Sequence, residues 1–158
     1  MSVNVVRATA TLAVAGSIVS LWPSIMSNNL FSLHPALMSV AYLGLMSEGV
    51  VLAALFRHVD AGADRVAAIR QHATVQSASL ASLLLGFFAI WRNKVLHNKH
   101  HFTSLHGKLG LLTIGLSCAS LLMGALSFKA LGLITSMSLK MQAQVKSLHR
   151  KVRAFFFL

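Results

Sequence analysis

Between Phe31 and Phe56 the chain carries a single charged side chain, Glu48. A run that long and that apolar has few places to fold. In water it would expose more hydrocarbon than so small a domain can cover. As a helix, about 20 apolar residues cross the hydrocarbon core of a bilayer with every backbone polar group satisfied internally. The pattern recurs: Val3 to Trp22, His72 to Trp91 and His106 to Phe128 are also long and apolar, and the connections between the runs hold most of the charge. The sequence therefore predicts an all-α transmembrane helical bundle, with four complete spans and the start of a fifth.

Composition agrees. Hydrophobic residues make up 56% of the 158 residues and charged residues 11%, against about 25% charged in a soluble domain. The 14 Lys and Arg outnumber the 3 acids, giving a net charge of +11. In a soluble protein that balance would point to nucleic acid. Here the bases lie almost entirely between apolar runs, where anionic headgroups and membrane topology account for them, so no nucleic acid is expected. The lone cysteine, Cys118, sits inside an apolar run. It has no intramolecular disulfide partner, and burial would make it an inert small hydrophobe. No P-loop, CxxC, solenoid repeat, nucleophile or acid–base pair is evident.

Val3 to Trp22 reads as a signal anchor rather than a cleaved signal peptide, because Leu21-Trp22-Pro23 is a poor cleavage site. Trp22 would sit in the interfacial belt and Pro23 would end the helix. In the second run, His34-Pro35 places a proline in what the pattern predicts to be a first helical turn. The chain is expected to form a single domain, residues 1–158, that is incomplete at its C-terminal side. Residues 129–158 would be its basic, atypical tail, in which Lys146 to Leu158 is too short to cross. With the N-terminus in the cytoplasm, ten bases fall on the cytoplasmic side and four opposite, the orientation the positive-inside rule favours.

Four histidines occupy equivalent places: His34, His72 and His106 open the second, third and fourth runs, and His149 opens the last segment. Alternating helix direction would put His34 and His106 at one membrane depth, and His72 with His149 near the opposite face. Two imidazole pairs, one per leaflet, are what two bis-histidine haems b would require. The blander alternatives are interfacial or hydrogen-bonded histidines and a structural zinc site, which would need four converging donors. His97, His100 and His101 offer a third possibility, a loop metal with no Cys or acid nearby. The helical stripes from His72 (Gln76, Ser79, Leu83, Gly86) and from His106 (Gly110, Thr113, Ser117, Ser120, Gly124) suit a flat macrocycle and close helix packing alike. Glu48, 14 residues beyond His34, would lie about 21 Å deeper at helical rise. An acid at that depth is by default functional or paired.

Leu33-His34-Pro35-Ala36-Leu37-Met38, Met46-Ser47-Glu48, His72, and His101-Phe102-x-Ser104-x-His106-x-x-x-Gly110, in this order, resemble the cytochrome b561 family, in particular its short domain-containing branch. The resemblance covers about residues 3 to 150. It implies two haems b, the iron of one held axially by His34 and His106 and that of the other by His72 and His149, the first pair being the more secure. It also implies an ascorbate-dependent reductase that passes electrons from cytoplasmic ascorbate to monodehydroascorbate or ferric iron, as a ferric chelate, on the other side. The catalytic chemistry would be the haem's, with no separate catalytic residues. Bases beside each haem edge would draw an anionic substrate: Arg65 and Arg70 on one side, Lys99 and His101 on the other. The family has six spans with spans two to five as its core. This chain departs from that pattern after His149, where Lys151, Val152 and Arg153 put charge in the way of a fifth span. The competing expectation is therefore a truncated, non-catalytic membrane protein binding one haem or none. The remaining expected partners are the lipid bilayer of an endomembrane or plasma membrane and a second copy in a homodimer.

Overall fold

The computed structural model describes residues 3–26, 29–128 and 131–157. Lys129, Leu158 and the side chains of Arg7 and Arg153 lie outside the described residues. Every element among the described residues is helical: α1 (Val3–Met26), α2 (Leu30–Leu55), α3 (Ala63–Leu96), α4 (Leu105–Ser127) and α5 (Leu139–Phe157), with short 3-10 turns at Phe56–His58 and Leu133–Ser136. The chain divides into two compact units, residues 1–103 and 104–158.

Three helices are long and apolar enough to cross a membrane among the described residues: α2, α3 and α4. The protein is an integral membrane protein with three candidate spans, not the four complete spans and fifth start expected from the sequence. The first run forms the 24-residue helix Val3–Met26, within which Ala8–Pro23 is the apolar stretch among the described residues. Pro23 lies inside that helix rather than ending it. The last segment is no beginning of a span. Its helix starts at Leu139, and Lys140, Lys146, Arg150 and Lys151 recur along it, leaving one apolar stripe through Met141, Val145, Leu148 and Val152 rather than an apolar surface all round.

α3 begins nine residues before the expected His72. Gly62, at φ +149°, precedes it in a backbone conformation that L side chains rarely adopt, and Asp64 in the first turn favours the positive end of the helix. Ala- and Arg-rich sequence then holds helical form without apolar periodicity, which is why hydropathy alone places the start too late. At 34 residues the helix is about 51 Å long, against about 30 Å of hydrocarbon. Its other end closes with a left-handed Asn98, φ +52°. There the Lys99 amide donates to the Lys94 carbonyl (2.9 Å) and the Asn98 amide to Val95 (3.2 Å), a Schellman arrangement that satisfies the last carbonyls.

α2 starts at an Asn29 cap, whose side chain accepts from the Phe31 amide at 2.9 Å. Pro35 is therefore the sixth helical residue, not one of the first turn. Halfway along, Val40–Met46 opens into a π turn. Such a turn takes up one extra residue and loosens the helix's own hydrogen-bond ladder. In lipid an unsatisfied carbonyl costs several kcal/mol, of order 2–7, and two serines attend to it. Ser79 of α3 donates to the Ala41 carbonyl at 2.8 Å, and Ser47 donates to Tyr42 at 3.1 Å.

The core of the first unit is the α2–α3 seam, where Ala36, Ala41, Met46, Leu83, Ala89, Ser79 and Ser82 are buried. Apart from Met46 and Leu83 these are small side chains, which lets the backbones approach, as membrane helices require when lipid removes the hydrophobic drive for association. Large apolar side chains point outward instead, Leu85 and Phe88 among them. α1 packs on α2 where Val14 faces Gly44, and a groove of about 730 Å³ between them includes Thr11, Ile18, Ser47 and Glu48 in its lining. In the second unit α4 packs against α5, and Ile134 is fully buried in the turn between them.

Candidate functional site

Two antiparallel helices in the first unit exchange imidazoles. His34 of α2 donates from Nδ1 to the Gly86 carbonyl of α3 at 3.1 Å, and His72 of α3 donates from Nδ1 to the Gly49 carbonyl of α2 at 2.7 Å. A carbonyl only accepts, so in both rings the proton sits on Nδ1. In the neutral ring Nε2 then carries the lone pair. The two rings lie at opposite ends of one helix pair: Gly49 is 15 residues beyond His34, and Gly86 is 14 beyond His72. At helical rise either interval is about 21 to 22 Å.

The second unit repeats the device. His149 of α5 donates from Nδ1 to the Ser120 carbonyl of α4 at 2.9 Å. Beside it Gly124 has no side chain, and a Cβ there would stand 3.2 Å from His149 Cε1. His106 is the second residue of α4, in the first turn after the Ser104 cap, whose hydroxyl accepts from the Gly107 amide at 3.1 Å, and it is exposed. Each pair expected from the sequence thus takes one imidazole from residues 1–103 and one from residues 104–158.

The glycines beside these rings have a steric reason. A Cβ on Gly86 would stand 3.1 Å from Leu37 Cβ and 3.4 Å from the His34 carbonyl. One on Gly49 would run into Gln76 at 2.6 to 3.0 Å. The His72 stripe is accordingly a packing seam: Gln76 faces Gly49, Ser79 donates to Ala41, Leu83 is fully buried and Gly86 receives His34. The His106 stripe divides in function. Ser120 and Gly124 receive His149, Thr113 and Ser117 bond within their own helix, and Gly110 faces open space.

Sequence reading had no means of identifying Gly49 and the Ser120 carbonyl as anchors. The signal for Gly86 and Gly124 was their place on a histidine's stripe, which does not separate anchoring from ordinary packing.

Of the expected substrate residues, Arg65 lies seven residues before His72 and Arg70 two before it. At about 100° per residue Arg65 shares His72's side of α3 and Arg70 points nearly opposite. Arg65 Nη1 reaches back to the Val59 carbonyl at 3.5 Å, and Arg70 is exposed. At the far end of α3, His101 stacks on Trp91 with ring centroids 3.8 Å apart and 18° between planes. Phe102 joins them, stacked on Phe87 at 6.5 Å, with its backbone at φ +55°, a strained conformation for a bulky residue. Lys94 donates to the His100 carbonyl at 3.2 Å, and Lys99 is exposed. The loop is thus pinned by aromatic contact and a lysine. Sequence reasoning missed Trp91, whose ring is what orients His101. Among the described residues no three His, Cys, Asp or Glu side chains converge as a metal site would need.

An imidazole whose Nδ1–H is tied to a backbone carbonyl has its tautomer and ring plane set, the usual arrangement of a metal-ligating histidine. A haem iron needs only two such donors, one on each side. His34, His72 and His149 have the donor chemistry that fits it.

Comparison with known proteins agrees. The family model described as eukaryotic cytochrome b561 matches residues 33–158. The chain is 34% identical over 95 residues to Transmembrane reductase CYB561D2 of Mus musculus, and 33% identical over 95 residues to the proteins of that name in Bos taurus and Homo sapiens. In each case the match covers 58% of this chain and 43% of the relative, so the chain spans less than half the length of the curated relatives it matches. No solved structure matches the chain significantly.

Proposed function

The chain belongs to the cytochrome b561 family, and from that premise we propose that it carries electrons across a membrane on haem b, as an ascorbate-dependent transmembrane oxidoreductase. The observation that carries this reading is the threefold Nδ1–H to carbonyl anchoring of His34, His72 and His149. His34 and His106 would hold one haem, and His72 and His149 the other. The reading requires the two units to assemble as one domain, because each pair draws on both. A bound haem would supply one-electron redox chemistry.

The protein's own residues bind, orient and steer. The glycines let the rings seat against neighbouring backbone, and the apolar helix faces exclude water. At the start of α3, Arg65 and Arg70 would draw anionic ascorbate on the cytoplasmic side. Lys99 and the Trp91-stacked His101 would meet monodehydroascorbate or a ferric chelate at the other face. A second reading, a membrane protein binding one haem or none and passing no electrons, is favoured by the bases that flank His149, which suit lipid poorly.

An absorbance spectrum of the purified full chain separates the two. Electron transfer predicts a Soret band and a split low-spin α-band that appears on adding ascorbate. The His106→Ala variant should lose one haem and keep the other. Absence of any Soret band refutes the proposal, and unchanged haem content in His106→Ala refutes the ligand assignment.

A further inference from the structure

The hydrogen bonds that stitch α2 to α3 lie on one side of each helix, but the spacing on α2 is wrong for an α-helix. Its accepting carbonyls are Leu37, to which Ser82 donates at 2.9 Å, Ala41, to which Ser79 donates at 2.8 Å, and Gly49, to which His72 donates at 2.7 Å. Leu37 and Ala41 are four residues apart and share a face. Gly49 is 12 residues beyond Leu37, and an uninterrupted α-helix would carry it about 120° around, away from α3. The π turn at Val40–Met46 stands between them. By taking up one extra residue it returns roughly 100°, which brings the Gly49 carbonyl back to face His72.

The turn is held from outside its own helix at one point by a fully buried hydroxyl. Ser79 has no exposed surface, and the carbonyl it meets, Ala41, belongs to the wide turn and is itself fully buried. Ser82 makes an interhelical bond of nearly equal length, but to Leu37, outside the turn. Two serines of one stripe thus do different things: Ser82 joins helices, and Ser79 joins a helix to the one segment whose winding sets where Gly49 points.

We propose that Ser79 is a positioning residue for His72. By donating to Ala41 it stabilises the π turn, and the π turn keeps the Gly49 carbonyl in register with His72 Nδ1, setting the tautomer and plane of that ring. The consequence for haem rests on the reading of His72 as an axial ligand. The register itself does not.

The test compares Ser79→Ala, Ser79→Thr and Ser82→Ala in the full chain, first without haem. In haem-free protein labelled with nitrogen-15 at histidine, Ser79→Ala should abolish the hydrogen-bonded Nδ1–H resonance of His72 and leave that of His34 in place. Amide exchange across residues 40–46 should quicken at least tenfold. Ser82→Ala should change neither, and Ser79→Thr, which keeps the hydroxyl, should restore both. If Ser79→Ala keeps the His72 resonance and wild-type exchange, or if Ser82→Ala perturbs them equally, the proposal is overturned. Should Ser79→Ala fail to fold, Ser79→Cys keeps the side-chain size with a weaker donor and carries the same comparison. In haem-loaded protein, Ser79→Ala should shift the ferric low-spin signal of one haem only, the one lost in His72→Ala. If no variant or wild type binds haem there, the ligand reading fails while the haem-free comparison still decides the role of Ser79.

Discussion

Replacing Gly86 with alanine tests whether helix contact and ligand orientation depend on the same few tenths of an ångström. The added methyl would sit 3.1 Å from Leu37 Cβ, where carbon atoms ordinarily stop at about 3.5 to 4.0 Å. Neither partner is the end of a flexible chain, so α2 and α3 must part by about half an ångström at this point, given that spacing. The His34 Nδ1 to Gly86 carbonyl bond, now 3.1 Å, then stretches to about 3.6 Å, beyond useful N–H···O range. Its loss costs about 0.5–1.5 kcal/mol and the overpacking about 1–3 kcal/mol. Against this, alanine is about 1 kcal/mol better than glycine in a helix. The net expectation is destabilisation of about 2 kcal/mol, read as a shift in the midpoint of reversible unfolding in mixed micelles. Gly16→Ala is the control. Nothing lies within 4 Å of its added methyl, so it should be neutral or gain up to about 1 kcal/mol. If Gly86→Ala is as stable as Gly16→Ala and retains the His34-dependent haem band, the glycine is not what seats His34 and the argument from contact fails.

The other glycine beside an imidazole gives a second test: Gly124→Val should displace the His149 ring, 3.2 Å from the added Cβ, and lower haem content at the His72-dependent site alone, measured by pyridine haemochrome; full loading would count against that pairing. Arg65→Gln should slow reduction by ascorbate several-fold and weaken its salt dependence, while Arg70→Gln, on the opposite side of α3, should have a smaller effect in stopped-flow absorbance; the reverse order would contradict the helical phase. Trp91→Ala removes the stack with His101, worth about 0.5–1.5 kcal/mol, so amide exchange in residues 97–103 should rise several-fold, and an unchanged loop would show that Phe102 and Lys94 suffice to hold it.

The histidines show how far sequence reading reaches and where it stops. His34, His72 and His149 stood out because an imidazole at the threshold of an apolar run is rare and costly, and each has a backbone anchor in the structure. Those anchors were invisible, because the accepting atom is a main-chain carbonyl, present at every residue and therefore without a signature. The helix bounds were misjudged for a related reason: hydropathy sums composition over a window, and it is blind to a helix such as α3 that continues into polar sequence. The winding of α2 had no signal at all. Val40–Met46 is ordinary apolar helix in its composition, and only the buried partnership of Ala41 with Ser79 reveals the π turn.

The sequence by itself determined that the protein is helical and membrane-bound, because 11% charge over 158 residues leaves no other way to satisfy both backbone and side chains. It also singled out His34, His72, His106 and His149 as candidate ligands. The tertiary structure decided which atoms hold them and in what register, because that depends on the rotation of one helix against another, a quantity a single turn of different pitch can change by roughly 100° without altering the hydrophobic pattern.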